Sequence, residues 1–381
     1  MSHTYEVING HATLEGTKKY LDYAIQKGKP STHFRQFDGL YLSSIGMGTY
    51  LGKPNEQDDK DMENAIYESI KSGAVNVIDT AINYRAMKSE KSIGRALSRL
   101  IKDNVISRDE LFICTKNGYI TNDGDYPGID VMEYMQNMFI STGLINSKDI
   151  SSGYNVLNPN YISRCIDKSL MNMHLDTIDL VYIHNAFESW YKDVSREQFF
   201  EMLSKVFETY ERYRSSNRIR YYGMATWTCF RVQKDDKEYL SLEQVVNLAQ
   251  QVGGNDHGFR FIQLPYNLAY SEALLLKNQS VGLEENLSIL EAANKLNVKV
   301  FTSIPLFQSR LLGAKIPDYM GLNDQVEKLV QIIRSSPSVI APLIGYKKPG
   351  HVKQDIKIAN IPPLNEKEFT EAISILLKAN P

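Results

Sequence analysis

The sequence predicts a (β/α)8 barrel, and two observations carry that prediction. Eight apolar, strand-like runs begin near Leu42, Asn76, Leu111, Ile178, Arg220, Phe261, Lys299 and Val339, with stretches of helical spacing between them. Strand-then-helix repeated eight times is the sequence form of this architecture, and most strand-to-strand steps are roughly 35–42 residues. Three of the runs also stop at one reactive side chain: Val75–Ile78 at Asp79, with Tyr84 close behind; Leu111–Thr115 at Lys116; and Ile178–Ile183 at His184. In a parallel barrel the strand C-termini converge on one mouth, where active sites are built.

The elements follow in order. Residues 1–32 are polar and irregular and read as an extension with a short helix around Thr17–Gln26; residues 33–381 read as one barrel domain. Asp38-Gly39 between His33–Phe37 and Leu40–Leu42 is the signal of a tight hairpin. Helices are expected over Met62–Ser72, Lys88–Leu100, Tyr161–His174, Arg196–Arg214, Leu240–Gln251, Glu284–Leu296 and Leu322–Arg334. In Tyr161–His174, Ile162, Cys165, Ile166, Leu170 and Met173 fall on one face, and Asn158-Pro159 supplies a cap and a first-turn proline. The step from Leu111 to Ile178 is longer than the others. Its excess, residues 117–157 with a short helix at Val131–Phe139, follows Lys116 and so belongs to the mouth, either shaping a binding site or lying as a mobile surface insertion. A doubly wound fold is disfavoured: Ile45–Gly52 contains a GxG but lacks the third glycine and the prompt helix of a dinucleotide turn.

Composition narrows the function. The chain has 381 residues, 43% hydrophobic and 23% charged, a soluble globular profile. A net charge of −2, from 43 basic and 45 acidic residues, offers no field for nucleic acid or an anionic membrane. Cys114, Cys165 and Cys229 form no CxxC pair, and Cys114 and Cys165 read as core residues of a reduced protein. The start of the chain lacks the basic and apolar regions of a signal peptide. No uncharged apolar stretch approaches the ~20 residues of a membrane span. A cytoplasmic protein is expected.

The residue types at the mouth suggest proton transfer. A phenol such as Tyr84 can protonate a carbonyl oxygen as that oxygen gains charge, but its ordinary pKa of about 10 is high. Lys116 is the cation that would lower it, Asp79 the carboxylate that would hold the lysine, and His184 a further hydrogen-bonding group. Each alone has a plain structural reading: packing, a turn cap, an ordinary ion pair, a semi-buried histidine. Their common placement at run ends favours the chemical one. His3, His11, His33, His174, His184, His257 and His351 show no metal-ligand spacing, and no G-x-S-x-G elbow is present. A proton donor without metal or nucleophile implies a cofactor for the difficult step, and a nicotinamide hydride fits. The strand and basic turn Ala341–His351 would bind its phosphate, with Lys347 and Lys348 favouring NADP over NAD; a solvated basic turn is the other reading.

These segments resemble the aldo-keto reductase superfamily: Val77–Tyr84 followed by Ser89–Leu97, Cys114-Thr115-Lys116, Asp179–Asn185, Gln263–Asn267 and Leu343–Asp355. The resemblance implies an N-terminal hairpin closing the barrel bottom and a catalytic tetrad of Asp79, Tyr84, Lys116 and His184, with Tyr84 as proton donor. It places Thr49, Tyr50, Thr226, Gln263 and Ser303 near a nicotinamide. Leu306, Gln308 and Arg310 fall along a pyrophosphate, and Lys347, Lys348, Gln354 and Asp355 at the 2′-phosphate and adenine. Three positions depart from the pattern: Ala225-Thr226 replaces Ser-Asn, Ser303 replaces a stacking aromatic, and Phe307 replaces a glycine. The reading that follows is an NADPH-dependent reductase of a small aldehyde or ketone. A redox-sensing NADP-binding barrel with little turnover, and a lyase or isomerase using Asp79 and Lys116 without nicotinamide, stand beside it. Substrate choice would rest with 117–157, Ala186–Ser195 and Gln308–Tyr319. Tyr119, Trp190, Tyr191 and Trp227 are candidates for an aromatic pocket or for packing.

Overall fold

A computed structural model describes residues 6–379, apart from the side chains of Asp355 and Ala379. Helix α1 (Leu14–Gln26) leads into a hairpin of β1 (Phe34–Phe37) and β2 (Leu40–Ser43), paired antiparallel with Phe37 opposite Leu40. Asp38 and Gly39 both take left-handed angles (φ 48 and 79), as a two-residue hairpin turn requires. The hairpin plugs one end of the barrel. Phe37 meets the rings of Phe261 at 4.6 Å and Tyr221 at 5.3 Å, and the Tyr221 hydroxyl donates to Asp38 at 2.5 Å.

Eight parallel strands close the barrel in chain order: β3 (Gly46–Gly48), β4 (Val77–Asp79), β5 (Phe112–Asn117), β6 (Ile178–His184), β7 (Ile219–Ala225) and β8 (Phe259–Pro265), then, beyond a small hairpin, β11 (Lys299–Ser303) and β12 (Val339–Gly345). β12 returns to β3 with Leu343 opposite Gly46. The apolar run at Leu42 is therefore β2 of the plug, and the first barrel strand lies beyond it. That strand is Gly-Met-Gly, too short and too bare to show alternation in sequence. A Cβ at Gly46 would lie 2.7 Å from the Leu343 side-chain end and 3.3 Å from Val77, so a larger residue there would make Leu343 shift.

The helices on the outside are α2 (Glu56–Lys71), α3 (Lys88–Lys102), the short α4 (Val131–Met135) in the long loop, α5 (Pro159–Met173), α6 (Ala186–Trp190), α7 (Arg196–Ser215) and α8 (Leu242–Gly253). After the one-turn α9 (Glu272–Leu275), the stretch expected as a helix from Glu284 instead pairs as β10 (Glu284–Leu287) with β9 (Gln279–Val281). Ser288 then caps α10 (Ile289–Lys295), its hydroxyl accepting from Glu291 N while the Glu291 carboxylate accepts from Ser288 N. That capping box is a helix start signal that overrides the apolar spacing upstream. α11 (Gln325–Ser335), α12 (Pro349–Lys357) and α13 (Glu366–Ala379) complete the chain. Among the described residues no helix is long and apolar enough to cross a membrane.

Strand alternation decides what faces inward. Val77, Phe112, Cys114, Leu180, Tyr182, Phe261, Phe301 and Leu343 pack together inside the barrel. One period-two step further along the same strands stand Asp79, Lys116, His184, Gln263, Ser303 and Gly345. The interior is thus apolar up to its last layer, and that layer is polar apart from Gly345 and from Ala225 of β7, which stands beside His184 and Gln263.

Beneath this, Asp179 is 1% exposed and joins four pieces of chain. Its carboxylate accepts from Ala12 N (2.7 Å), Ile113 N (2.8 Å) and the Arg108 guanidinium (2.7 Å). Replacing it with alanine leaves Arg108 buried without its partner. Asp179→Ala is expected to cost about 3–5 kcal/mol, read by urea unfolding of the two proteins; an unchanged midpoint would contradict this role.

Candidate active site

Lys116 is fully buried at the end of β5. Its ammonium donates to Asp79 Oδ2 at 2.5 Å and to the Thr80 carbonyl at 2.7 Å, and it lies 4.9 Å from the centre of the Tyr84 ring. The His184 ring stands 6.0 Å from Tyr84 at a steep angle. The four residues singled out by the run-end pattern therefore meet at one point.

Asp79 is held on both oxygens. Oδ2 takes Lys116, while Oδ1 accepts from Gln263 Nε2 at 2.9 Å. Its backbone carbonyl accepts from both the amide and the hydroxyl of Thr49, at 3.0 and 3.1 Å. Burial pushes the Asp79 carboxyl up, opposed by Lys116 and Gln263. Burial would lower the Lys116 ammonium, but Asp79 and Tyr84 outweigh it and hold it above its ordinary value. The ion pair is the state these contacts favour, because every polar atom of the pair faces an opposite or complementary group. Burial also pushes the Tyr84 phenol up; Lys116 works against that shift without reversing it, and Asp79 adds to it. The expected lowering by the ammonium is thus present but outweighed. Burial first and Lys116 second push His184 well down, so the imidazole is neutral at ordinary pH. Its Nδ1 has no protein partner.

The turn that carries Tyr84 is unusual. Arg85, Ala86 and Met87 follow it with φ of 53, 52 and 67, three successive left-handed residues without a glycine. Such a conformation costs roughly 1–2 kcal/mol per residue and persists only where its surroundings impose it. Arg85 is buried, ion-paired with Asp59, and donates to the Lys53 carbonyl at 3.0 Å. Ala86 O accepts from Gly124 N of the long loop at 2.9 Å. That loop is tied down in turn: Asp123 pairs with Lys91 and Lys168, and Asp125 with Lys88 and Lys91. The stretch around Asp123 and Asp125 is therefore fastened to α3 and α5.

A cavity of about 490 Å³ opens over these groups. Asp79, Tyr84 and His184 line it, with Lys116 behind them. Of the remaining predicted residues, Thr49, Tyr50, Thr226, Gln263, Ser303, Leu306 and Gln308 also line it. Thr226 already spends its hydroxyl on the Gln263 carbonyl, at 3.3 Å. Arg310 does not line the cavity; its guanidinium lies 5.4 Å over the Phe307 ring. Phe307, where the resemblance has glycine, takes φ 48, the conformation glycine adopts freely, and packs its ring on Tyr270. Lys347 is ion-paired with Asp58, while Lys348 and Gln354 are exposed and stand apart from the cavity. The Asp355 side chain lies outside the described residues, as does His3.

Of the four aromatic candidates, Tyr119 and Trp227 line the cavity, whereas Trp190 is buried in the core with its indole directed to Asn155, and Tyr191 packs against that core. Asn83 and Asn185 line the cavity without having been singled out. Asn185 carried a legible signal: at φ 44 directly after β6, it is the residue type that tolerates a left-handed turn. Cys114, Cys165 and Cys229 are all free and buried. Among the described residues, no group of three His, Cys, Asp or Glu is arranged to hold a metal ion.

Comparison with known proteins agrees with the geometry. An (αβ)-barrel with an ammonium–carboxylate pair beneath a phenol defines a class, and the model of the Aldo/keto reductase family matches residues 44–331. The chain belongs to that family. An aldo-keto reductase from Bacillus halodurans in holo form superimposes with a TM-score of 0.58 at 16% identity, covering 90% of this chain and 96% of that one. One from Klebsiella pneumoniae, in complex with NADP and acetate, gives 0.56 at 17% identity, covering 91% and 95%. By sequence, the NADPH-dependent D-xylose reductase of Candida boidinii is 27% identical over 147 residues, 39% of this chain and 32% of that protein. The matched segment thus spans about a third of that relative's length.

Two outcomes test the electrostatics. The His184 imidazole should remain neutral at about pH 6, where an ordinary histidine, with pKa near 6.5, is mostly protonated; ring-nitrogen shifts of the labelled protein read this directly. Because its folded-state pKa is depressed, the unfolded chain takes up the extra proton first, so His184 lowers stability as pH falls below about 6.5. The acid slope of unfolding free energy should flatten in His184→Phe.

Proposed function

We propose that this protein is a nicotinamide-dependent reductase of aldehydes or ketones, with Tyr84 as the proton donor. The observation that carries the reading is a buried ammonium 4.9 Å from the centre of the Tyr84 ring, itself held by Asp79, at the wall of a cavity. NADPH, bound along the cavity, would supply the hydride. The cavity volume suits a ligand of that class. Its wall runs from Thr49 and Gln263 past Leu306 to Gly345, two residues short of Lys347, and the relatives named above include a reductase described as NADPH-dependent and a structure with NADP.

The chain's own residues divide the work. Tyr84, neutral at ordinary pH, offers its proton to a carbonyl oxygen seated between it and His184. The neutral imidazole can donate a hydrogen bond to the same oxygen and fix the tilt of the carbonyl. As the proton leaves, the phenolate forms against the Lys116 ammonium, where its charge is stabilised in a site largely shielded from water. Asp79 keeps that ammonium in place and offsets its charge. Gln263, through Asp79 Oδ1, steadies the carboxylate. Tyr50, Tyr119 and Trp227 put aromatic surface around the opening, which favours a carbonyl compound with an apolar body.

Tyr84→Phe should lower kcat by about 10²–10⁴-fold in a panel of carbonyl substrates while NADPH still quenches protein fluorescence. Turnover at the wild-type level would remove Tyr84 from the reaction. The reduction rate should stay level through neutral pH and fall only as the phenol ionises, above its ordinary value of about 10. Lys116→Met deletes the charge that opposes burial, so the residual activity's alkaline limb should move to higher pH; a move to lower pH would contradict the assignment.

A further inference from the structure

We infer that Asp58 sets the nucleotide preference of this protein by competing for Lys347. The inference rests on the cofactor reading above, and concerns the far end of the same cleft. Lys347 follows β12 directly beyond Gly345 and is the cation the basic turn offers to a 2′-phosphate. Its ammonium is not free: it is ion-paired with the Asp58 carboxylate, at the start of α2, 289 residues away in sequence.

The pair is built rather than incidental. Both side chains are mostly covered, at 18% exposure for Lys347 and 15% for Asp58. Asp58 Oδ2 also accepts from Lys53 N at 2.5 Å, and Lys53 is fixed from its other side by Arg85, whose Nε donates to its carbonyl at 3.0 Å. Asn55 caps α2 by accepting from Asp58 N at 2.8 Å, which holds the carboxylate's backbone still. Gly52 passes so close that a Cβ there would lie 2.9 Å from Asp58 Oδ2 and 3.0 Å from Lys347 Nζ, and its φ of 116 is one that side chains rarely adopt. The loop after β3, which bears Tyr50 and Leu51 on the cavity wall, is thus clasped to the turn after β12. Lys347 first and the Lys53 amide second hold the Asp58 carboxyl below its usual range, so it is charged throughout the neutral region.

The consequence is a competition. A 2′-phosphate reaching Lys347 must displace Asp58 or lie beside it, and a carboxylate beside a phosphate is repulsive. A 2′-hydroxyl meets no such penalty, and can donate to a carboxylate. Asp58 therefore weakens the preference that Lys347 creates, and the wild-type protein binds both nucleotides with a modest bias. Lys348, exposed and unpaired with Asp58, contributes only a screened charge.

The test measures dissociation constants of NADPH and NADH by fluorescence titration in the absence of substrate, for wild type, Asp58→Asn, Lys347→Met and the double variant. Asp58→Asn keeps an acceptor for Lys53 N, so the loop has no reason to unfold; circular dichroism and thermal melting check this. The expected result is a rise of about tenfold in the NADPH:NADH affinity ratio for Asp58→Asn, corresponding to one close charge interaction of about 1.4 kcal/mol. Lys347→Met should abolish the preference, and Asp58→Asn should have no effect on the ratio in that background. An unchanged ratio in Asp58→Asn, or the same change with Lys347 absent, would overturn the inference and leave the reductase reading standing. Failure of wild type to bind either nucleotide would overturn both.

Discussion

The site depends on one buried ion pair, Lys116 with Asp79. Two charges taken out of water at the end of an apolar barrel are costly unless their remaining hydrogen-bonding capacity is filled. Here much of it is: the Thr80 carbonyl takes a second hydrogen bond from the ammonium, the Tyr84 ring lies 4.9 Å from it, and Gln263 completes the carboxylate. The pair can exist because strand alternation has filled most of that layer with polar side chains, Ala225 being the small apolar member beside His184 and Gln263. Its effect is to place a fixed positive charge under a phenol whose pKa burial has raised. A proton is then held firmly at neutral pH, and the charge left by its departure has a ready counterion.

Around that pair, a good deal of strain is kept in place by charge. The left-handed turn after Tyr84 has no glycine to relieve it. Arg85 pairs with Asp59 on one side, and the acidic residues Asp123 and Asp125 hold the long loop against Lys88, Lys91 and Lys168 on the other. Lys88 also lies 3.7 Å from Asp59, which links the two groups of pairs. The loop that borders the substrate opening and the turn that aims the phenol are therefore parts of one network. Asp58, beside Asp59, extends it to the far end of the cleft, so neighbouring carboxylates on α2 serve the turn behind the phenol and the basic turn after β12.

What could be read from the chain was what local physics dictates. A strand that ends in a mouth shows its end as an apolar run stopping at a polar residue, and that made Asp79, Lys116 and His184 visible. Tyr84 followed from Asp79 by the resemblance and by its nearness. Most helices were placed by their apolar faces. The misplacements had equally local causes: β3 is glycine-rich and carries no alternation, and the capping box at Ser288 begins a helix later than the spacing upstream suggests. The residues expected to hold a cofactor fall into two groups. Gln263 and Ser303 on strand ends line the cavity, as do Leu306 and Gln308 on the turn after β11, whereas Arg310, Lys347, Lys348 and Gln354 do not.

The sequence by itself determined the barrel, the inward order of its side chains and the meeting of four reactive groups at one mouth, because period-two alternation and strand ends are properties of short stretches. Only the tertiary structure decided who holds those groups. Gln263 reaches Asp79 across 184 residues and Asp58 reaches Lys347 across 289. No local pattern encodes either contact. Both arise when eight strands close on themselves and bring the first and last loops side by side, and that closure makes a lysine of the basic turn one half of an ion pair.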